Sequence, residues 1–138
     1  MHNMATLEEV REYFKGDRYA TDATGLVIEK AEKGHAVVSL MPGDIHKNAV
    51  GGLMGAVYYT MADFAFAVAE NCGLDPDSLT VTQSSEISFL KSYRGGKVLC
   101  SADIIKDGKS VCVYEVKMTA EDGTLLAIAI TNGFKTKK

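Results

Sequence analysis

The stretch HKNAVGGLMGAVYYTMADFAFAVAENC, His46–Cys72, decides how this chain folds. From Gly51 to Ala69 almost every side chain is apolar or small, and the run is too long for one strand. Alanine, methionine, phenylalanine and leucine favour a helix there. A helix apolar on all sides has to be enclosed, by other elements of a domain or by lipid. One carboxylate, Asp63, stands in the middle of the run, accompanied by two tyrosines, a threonine and several small residues. An aspartate near the centre of a bilayer span is costly, so the reading is a helix enclosed by protein and no membrane span. An ionised carboxylate among apolar side chains is also costly in a protein interior unless something compensates it. The position of Asp63 therefore demands a reason.

Working outward, the 138-residue chain is long enough to bury a real core as a single domain. A short helix and lead-in are expected over residues 1–19, with the main domain over 20–138. The net charge is −3 with both signs interspersed, which argues against a nucleic-acid partner. The opening MHNMATLEEVREYF is polar and acidic and does not resemble a signal or transit peptide. Cys72, Cys100 and Cys112 form neither an even set nor a C-x-x-C pair, so they read as buried small hydrophobes in a reducing cytoplasm. His2, His35 and His46 lack ligand-like spacing, and no metal is expected.

TLEEVREYF carries a capping-box signature, Thr6 with Glu9 three residues on, for a short helix. Two β-rich runs follow, Leu26 to Ala31 and His35 to Met41, with a turn at Gly34 between them. The apolar helix is expected to stop at NCGLDPDS, with Gly73 as its C-cap and Pro76 beyond. The rest reads as strands: LTVTQSSEISFL, then KVLCSADIIK, SVCVYEVKMTA and TLLAIAITNGFK. The last three are joined by Asp107-Gly108 and Asp122-Gly123, both strong hairpin signals. A hairpin, a central helix and a meander make an α+β chain whose antiparallel sheet has one apolar face to cover, and the helix is what it covers.

Most motif-like segments fail on inspection. DGKS, Asp107 to Ser110, has Asp103 where a phosphate loop needs glycine, and it joins two strands. GGLMG lacks dinucleotide-loop spacing, and no G-x-S-x-G is present. One constellation remains: His46 and Asn48, then Gly51, then Gly55 at the start of the helix, then Asp63 eight residues later. The first turn of a helix carries unpaired N–H groups and a partial positive charge, and a glycine there lets a ligand oxygen approach the backbone. An amide aimed at a carbonyl oxygen, together with a carboxylate, suits hydrolysis of an activated acyl group. Each residue also has a plainer use: Gly55 in close packing, Asn48 in a turn, Thr82 as a strand residue, His46 as a structural histidine.

The pattern H-x-N-x-x-G, a glycine four residues later, and D-x-A-x-x-x-A resembles the hotdog-fold acyl-CoA thioesterases, above all the phenylacetic-acid-degradation (PaaI-like) branch. His46, Asn48, Gly51, Gly55, Asp63, Ala65 and Ala69 carry it, with Thr82 to Leu90 and the closing meander downstream. The resemblance implies a sheet wrapped around the long helix, and a homodimer or homotetramer with active sites at the dimer interface. It implies Asp63 as base or nucleophile, the Gly55 amide as oxyanion donor, Asn48 positioning water or thioester, and Thr82 assisting Asp63. No cofactor is implied beyond the coenzyme A of the substrate. Met54 is expected in the acyl pocket with His46 near the substrate, and Lys91 and Arg94 near the phosphates of coenzyme A.

The chain departs from that family at Met54, where a histidine commonly precedes the oxyanion glycine; a thioether neither donates a strong hydrogen bond nor holds a proton. Two other classes therefore stand beside the thioesterase: an acyl-CoA or small-ligand binding protein without turnover, and a hotdog enoyl-CoA hydratase, suggested by GDIHKN although its histidine and asparagine stand in the reverse order.

Overall fold

A computed structural model describes residues 4–138, so Met1–Asn3, including His2 and the first residues of the expected lead-in, lie outside the described residues. The chain runs α1 (Leu7–Phe14), one wide helical turn (Tyr19–Thr24), β1 (Val27–Glu32), β2 (His35–Leu40), a short turn of 3-10 helix (Asp44–His46), α2 (Gly55–Asn71), β3 (Ser78–Phe89), β4 (Val98–Asp107), β5 (Val111–Ala120) and β6 (Leu125–Lys137). All six strands form one antiparallel sheet in the order β1-β2-β4-β5-β6-β3. This is the hotdog fold, with the sheet curled around α2, which touches every strand. No helix among the described residues is long and apolar enough to cross a membrane.

Local chemistry sets most of these elements. The capping box closes α1: Thr6 Oγ1 accepts from the Glu9 amide at 3.2 Å and Glu9 Oε1 accepts from the Thr6 amide at 3.0 Å. The lead-in is tied to the sheet and helix rather than standing apart. Arg11 Nε donates to Ile28 O at 2.9 Å, and Phe14 meets Phe64 of α2 edge-on with centroids 5.8 Å apart. Both Asp-Gly segments form hairpins, β4 to β5 and β5 to β6. β3 does not pair with β4, its successor. It crosses to the far side of β6 and becomes an edge strand with most of its side chains exposed.

The helix ends differently from expectation. Gly73 keeps an ordinary backbone conformation; Leu74 instead takes the left-handed one (φ 55°), and its amide donates to Asn71 O at 3.0 Å. The Asn71 carboxamide explains the stop, because it pairs with both backbone groups of Thr80, at 2.8 and 2.9 Å, and stitches the end of α2 to β3.

Val57, Met61, Ala62, Ala65, Phe66, Val68 and Ala69 of α2 are buried. The sheet nevertheless leaves one stripe open: Ala56, Tyr59 and Asp63 are exposed, with Thr60 and Ala67 half-buried beside them. These positions share one helical face. Asp63 lies on that open stripe. The carboxylate that α2 does bury is Glu70, just beyond the apolar run and 3% exposed. Tyr114 OH donates to its Oε2 at 2.5 Å, Thr80 Oγ1 donates to its Oε1 at 3.2 Å, and Lys33 Nζ lies 3.2 Å from Oε1. Burial, and after it the bond to Glu70, push the Tyr114 phenol upward; burial and the Glu70 charge push the Cys112 thiol up to about 11. All three cysteines are buried and unpaired.

Two substitutions in this core are expected to act with opposite sign. Glu70→Ala strands the Tyr114 and Thr80 hydroxyls and should cost about 2–5 kcal/mol. The Tyr58 hydroxyl is buried with no hydrogen-bond partner among the described residues, so Tyr58→Phe should be neutral or stabilising by about 1 kcal/mol. Urea denaturation of both variants checks the pair; equal destabilisation would contradict these assignments.

Candidate active site

Asp63 is held from the strand that crosses its helix. Thr82 Oγ1 donates to Asp63 Oδ1 at 2.6 Å. Thr80 and Thr82 point from the same face of β3, and they meet two carboxylates seven residues apart on α2, Glu70 and Asp63. Tyr59 continues the seam, its hydroxyl donating to Ser85 O. The register shift between Thr82 and Ser84 puts a bulge beside the Thr82–Asp63 contact, a device that re-aims a strand side chain. Asp63 thus has one oxygen fixed by Thr82 and opens onto solvent.

At the other end of the stripe, α2 begins on the loop that carries His46 and Asn48. His46 is buried, and both ring nitrogens serve the scaffold: Nδ1 accepts from the Gly43 amide at 2.9 Å, which leaves Nε2 to donate to Thr24 O at 2.7 Å. Expected near substrate or as a structural histidine, it braces the loop. Asn48 Oδ1 accepts from the Val50 and Gly52 amides at 3.1 and 3.0 Å; its amide nitrogen makes no hydrogen bond among the described residues and stays available as a donor. Arg94, expected near phosphate, donates from Nη1 to Val50 O at 2.7 Å and presses against Gly51, whose φ of 87° suits glycine. A side chain at Gly51 would meet that guanidinium at 2.8 Å. The loop is further closed by Leu53 N to Tyr93 O (2.8 Å) and Met54 N to His46 O (2.9 Å).

These bonds aim the start of α2. Met54 is the N-cap residue and is half-exposed; its side chain offers no cap, while its carbonyl accepts from the Val57 amide. The Gly55 and Ala56 amides have no acceptor among the described residues, which leaves donors and the positive end of the helix dipole facing outward. Gly55 also has a packing reason, since a side chain there would meet the Phe89 ring at 3.1 Å. Lys91 is exposed in the segment after β3, where its amide bonds Leu126 O at 3.1 Å. No cluster among the described residues has the make-up of a metal site.

The sequence reading did not pick out the lead-in residues that reach the site. A groove of about 780 Å³ runs along the open stripe of α2 to Asp63, and Asp17, Arg18 and Tyr19 form its other wall. No local pattern marks them, because the packing of Phe14 on Phe64 brings them there.

Known proteins share this fold. Residues 50–127 match the family model described as Thioesterase superfamily. A 1,4-dihydroxy-2-naphthoyl-CoA hydrolase from Listeria monocytogenes is 32% identical over 108 residues, covering 78% of this chain and 88% of that protein. A variant of the phenylacetic acid degradation protein PaaI from Thermus thermophilus superposes with a TM-score of 0.74 at 27% identity, over 83% of this chain and 96% of that one. A thioesterase from Pseudomonas aeruginosa shares the fold with a TM-score of 0.87 at 19% identity, over 99% and 97% of the two chains. Matched by the family model from the loop before α2 into the last strand, the chain belongs to the thioesterase superfamily and is a thioester hydrolase of the hotdog fold.

Proposed function

We propose that this protein hydrolyses acyl-CoA thioesters, with a small aryl or a short- to medium-chain acyl group, in the cytoplasm, and that two copies of the chain share each site. The observation that carries this reading is Asp63, fixed by Thr82 at 2.6 Å and open on the uncovered stripe of α2. The Asp63 carboxylate removes a proton from water as the water oxygen attacks the thioester carbon. The carbonyl oxygen takes up negative charge against the Gly55 amide, with the free Asn48 amide nitrogen on the water or the thioester. The C–S bond then breaks, and coenzyme A leaves as thiol with the proton Asp63 held. Direct attack by Asp63, followed by hydrolysis of the anhydride, uses the same groups. Met54 lies at the acyl pocket, and exposed Lys91 suits a coenzyme A phosphate.

Distance supports sharing. Gly55 and Asp63 lie eight residues apart on one helix, about 12 Å along its axis. An oxyanion donor and a general base each have to come within about 3 Å of their reacting atoms. One α2 cannot serve one carbonyl from both positions, whereas a second copy brings its own Asp63 to the first copy's Gly55. The exposed edge of β3 and exposed Val50, Met54, Phe89 and Leu90 suit such a partner. The naphthoyl-CoA hydrolase and PaaI relatives favour an aryl acyl group.

Thiol release from a panel of acyl-CoAs tests the activity, and no release from any member would sink it. Asp63→Asn should keep the fold and lower kcat by about 10²–10⁴; near wild-type turnover would remove Asp63 from the mechanism. Met54→His adds a donor beside the oxyanion glycine, and a lost donor of that kind costs about 10²–10³ in rate. The variant should therefore raise kcat on at least one member; unchanged or lower values throughout would mean that Met54 suits the native ligand.

A further inference from the structure

An aromatic ring stands against the glycine at the head of α2. A side chain at Gly55 would meet Phe89 Cζ at 3.1 Å and Cε1 at 3.2 Å, so the tip of that ring occupies the space a side chain would fill. Phe89 closes β3 opposite Ala127 of β6, and the next two amides, of Leu90 and Lys91, donate to Leu126 O at 2.8 and 3.1 Å. The ring packs on buried Tyr58 of α2, with centroids 6.0 Å apart and planes tilted by 50°. Phe89 is thus held at both backbone and ring, yet it is 55% exposed. Met54 and Leu90, the chain neighbours of Gly55 and Phe89, are large, apolar and more than half exposed as well. Core packing does not call for a ring fixed in this way and left open. What this apolar rim borders is the Gly55 N–H, a donor with no acceptor among the described residues.

A hydrogen bond to developing negative charge strengthens as water is excluded from around it. Resting on the thioesterase reading, we propose that Phe89 is a positioning residue for the oxyanion donor: its ring fixes the spacing between Gly55 and β3 and keeps water off that side of the Gly55 amide. Because the ring acts through Gly55, its effect falls on the transition state, whatever acyl group is attached. A ring that only lined an acyl pocket would act on binding, and more on aryl than on alkyl thioesters.

The test compares wild type, Phe89→Ala and Phe89→Leu on benzoyl-, phenylacetyl-, hexanoyl- and decanoyl-CoA. It reads kcat and KM from thiol release and, without ligand, the amide hydrogen exchange of Gly55 by NMR. Removing an oxyanion donor costs about 10²–10³ in rate, so loosening one should cost about tenfold. Phe89→Ala should lower kcat by that factor on aryl and alkyl thioesters alike, with KM little changed. Its Gly55 amide should exchange faster, while amides of the central strands exchange as in wild type. Phe89→Leu keeps apolar bulk against Gly55 and should recover most of the loss in both readouts. Should the alanine variant not fold, Phe89→Val takes its place with the same expectations. A rise in KM with kcat unchanged, a loss confined to the aryl thioesters, or a leucine variant no better than alanine overturns the role of Phe89. If wild type hydrolyses no acyl-CoA, the hydrolase reading fails, and exchange at Gly55 still decides whether Phe89 screens its amide. Unchanged exchange in the alanine variant overturns the proposal with or without turnover.

Discussion

A helix apolar on nearly every face can exist in water only if something wraps it, and everything else in this molecule follows from how far the wrapping goes. The six-stranded sheet covers α2 with every strand, yet a curled sheet with two edges cannot close around a cylinder. The lead-in packs over part of the gap through Phe14, and the remainder is the stripe that carries Ala56, Tyr59 and Asp63. The carboxylate that looks misplaced in the sequence occupies the one face of the helix where charge costs little in the single chain. Glu70, the last residue but one of the helix, is the carboxylate enclosed by protein, and it is compensated by a phenol, a threonine and a lysine.

The edge strand connects scaffold and chemistry. β3 hydrogen-bonds β6 along its length and presents Thr80 to Glu70 and Thr82 to Asp63. The same strand therefore anchors the buried end of α2 and orients the carboxylate at its open face. The loop before α2 and the segment between β3 and β4 act likewise at the other end. His46, Asn48 and Arg94 spend polar groups on bracing the approach to Gly55, so that the unpaired amides of the first turn face outward from a fixed support.

Much of this was legible in the sequence, for physical reasons that can be named. The central helix, both Asp-Gly hairpins and the Thr6–Glu9 capping box depend on neighbours in the chain, and local pattern reports them. What depends on residues distant in the chain was not legible. No tight turn ties β3 to β4, so nothing local sends β3 beyond β6. The end of α2 at Asn71, with the left-handed residue at Leu74 rather than Gly73, goes with the Asn71–Thr80 pairing, and the place of Asp17 beside Asp63 comes from an aromatic contact between α1 and α2. Glu70 reads locally as a polar residue at a helix end; only the sheet shows what encloses it. The spacing of Asn48, Gly55 and Asp63 was visible, as was a structural use for His46, but not that Arg94 would be committed to the loop.

The central claim is that one site draws its oxyanion donor and its carboxylate from two different chains. Subunit complementation tests it most directly. Asp63→Asn and Gly55→Val proteins, each inactive alone, are mixed, unfolded and refolded together, and thiol release is measured on a reactive aryl-CoA. In a shared site, the mixed dimer has one site with both native groups, so random reassembly should restore about a quarter of wild-type activity. Activity no higher than the sum of the two variants alone, with mixed dimers verified by mass, would contradict the account and put both groups within one chain.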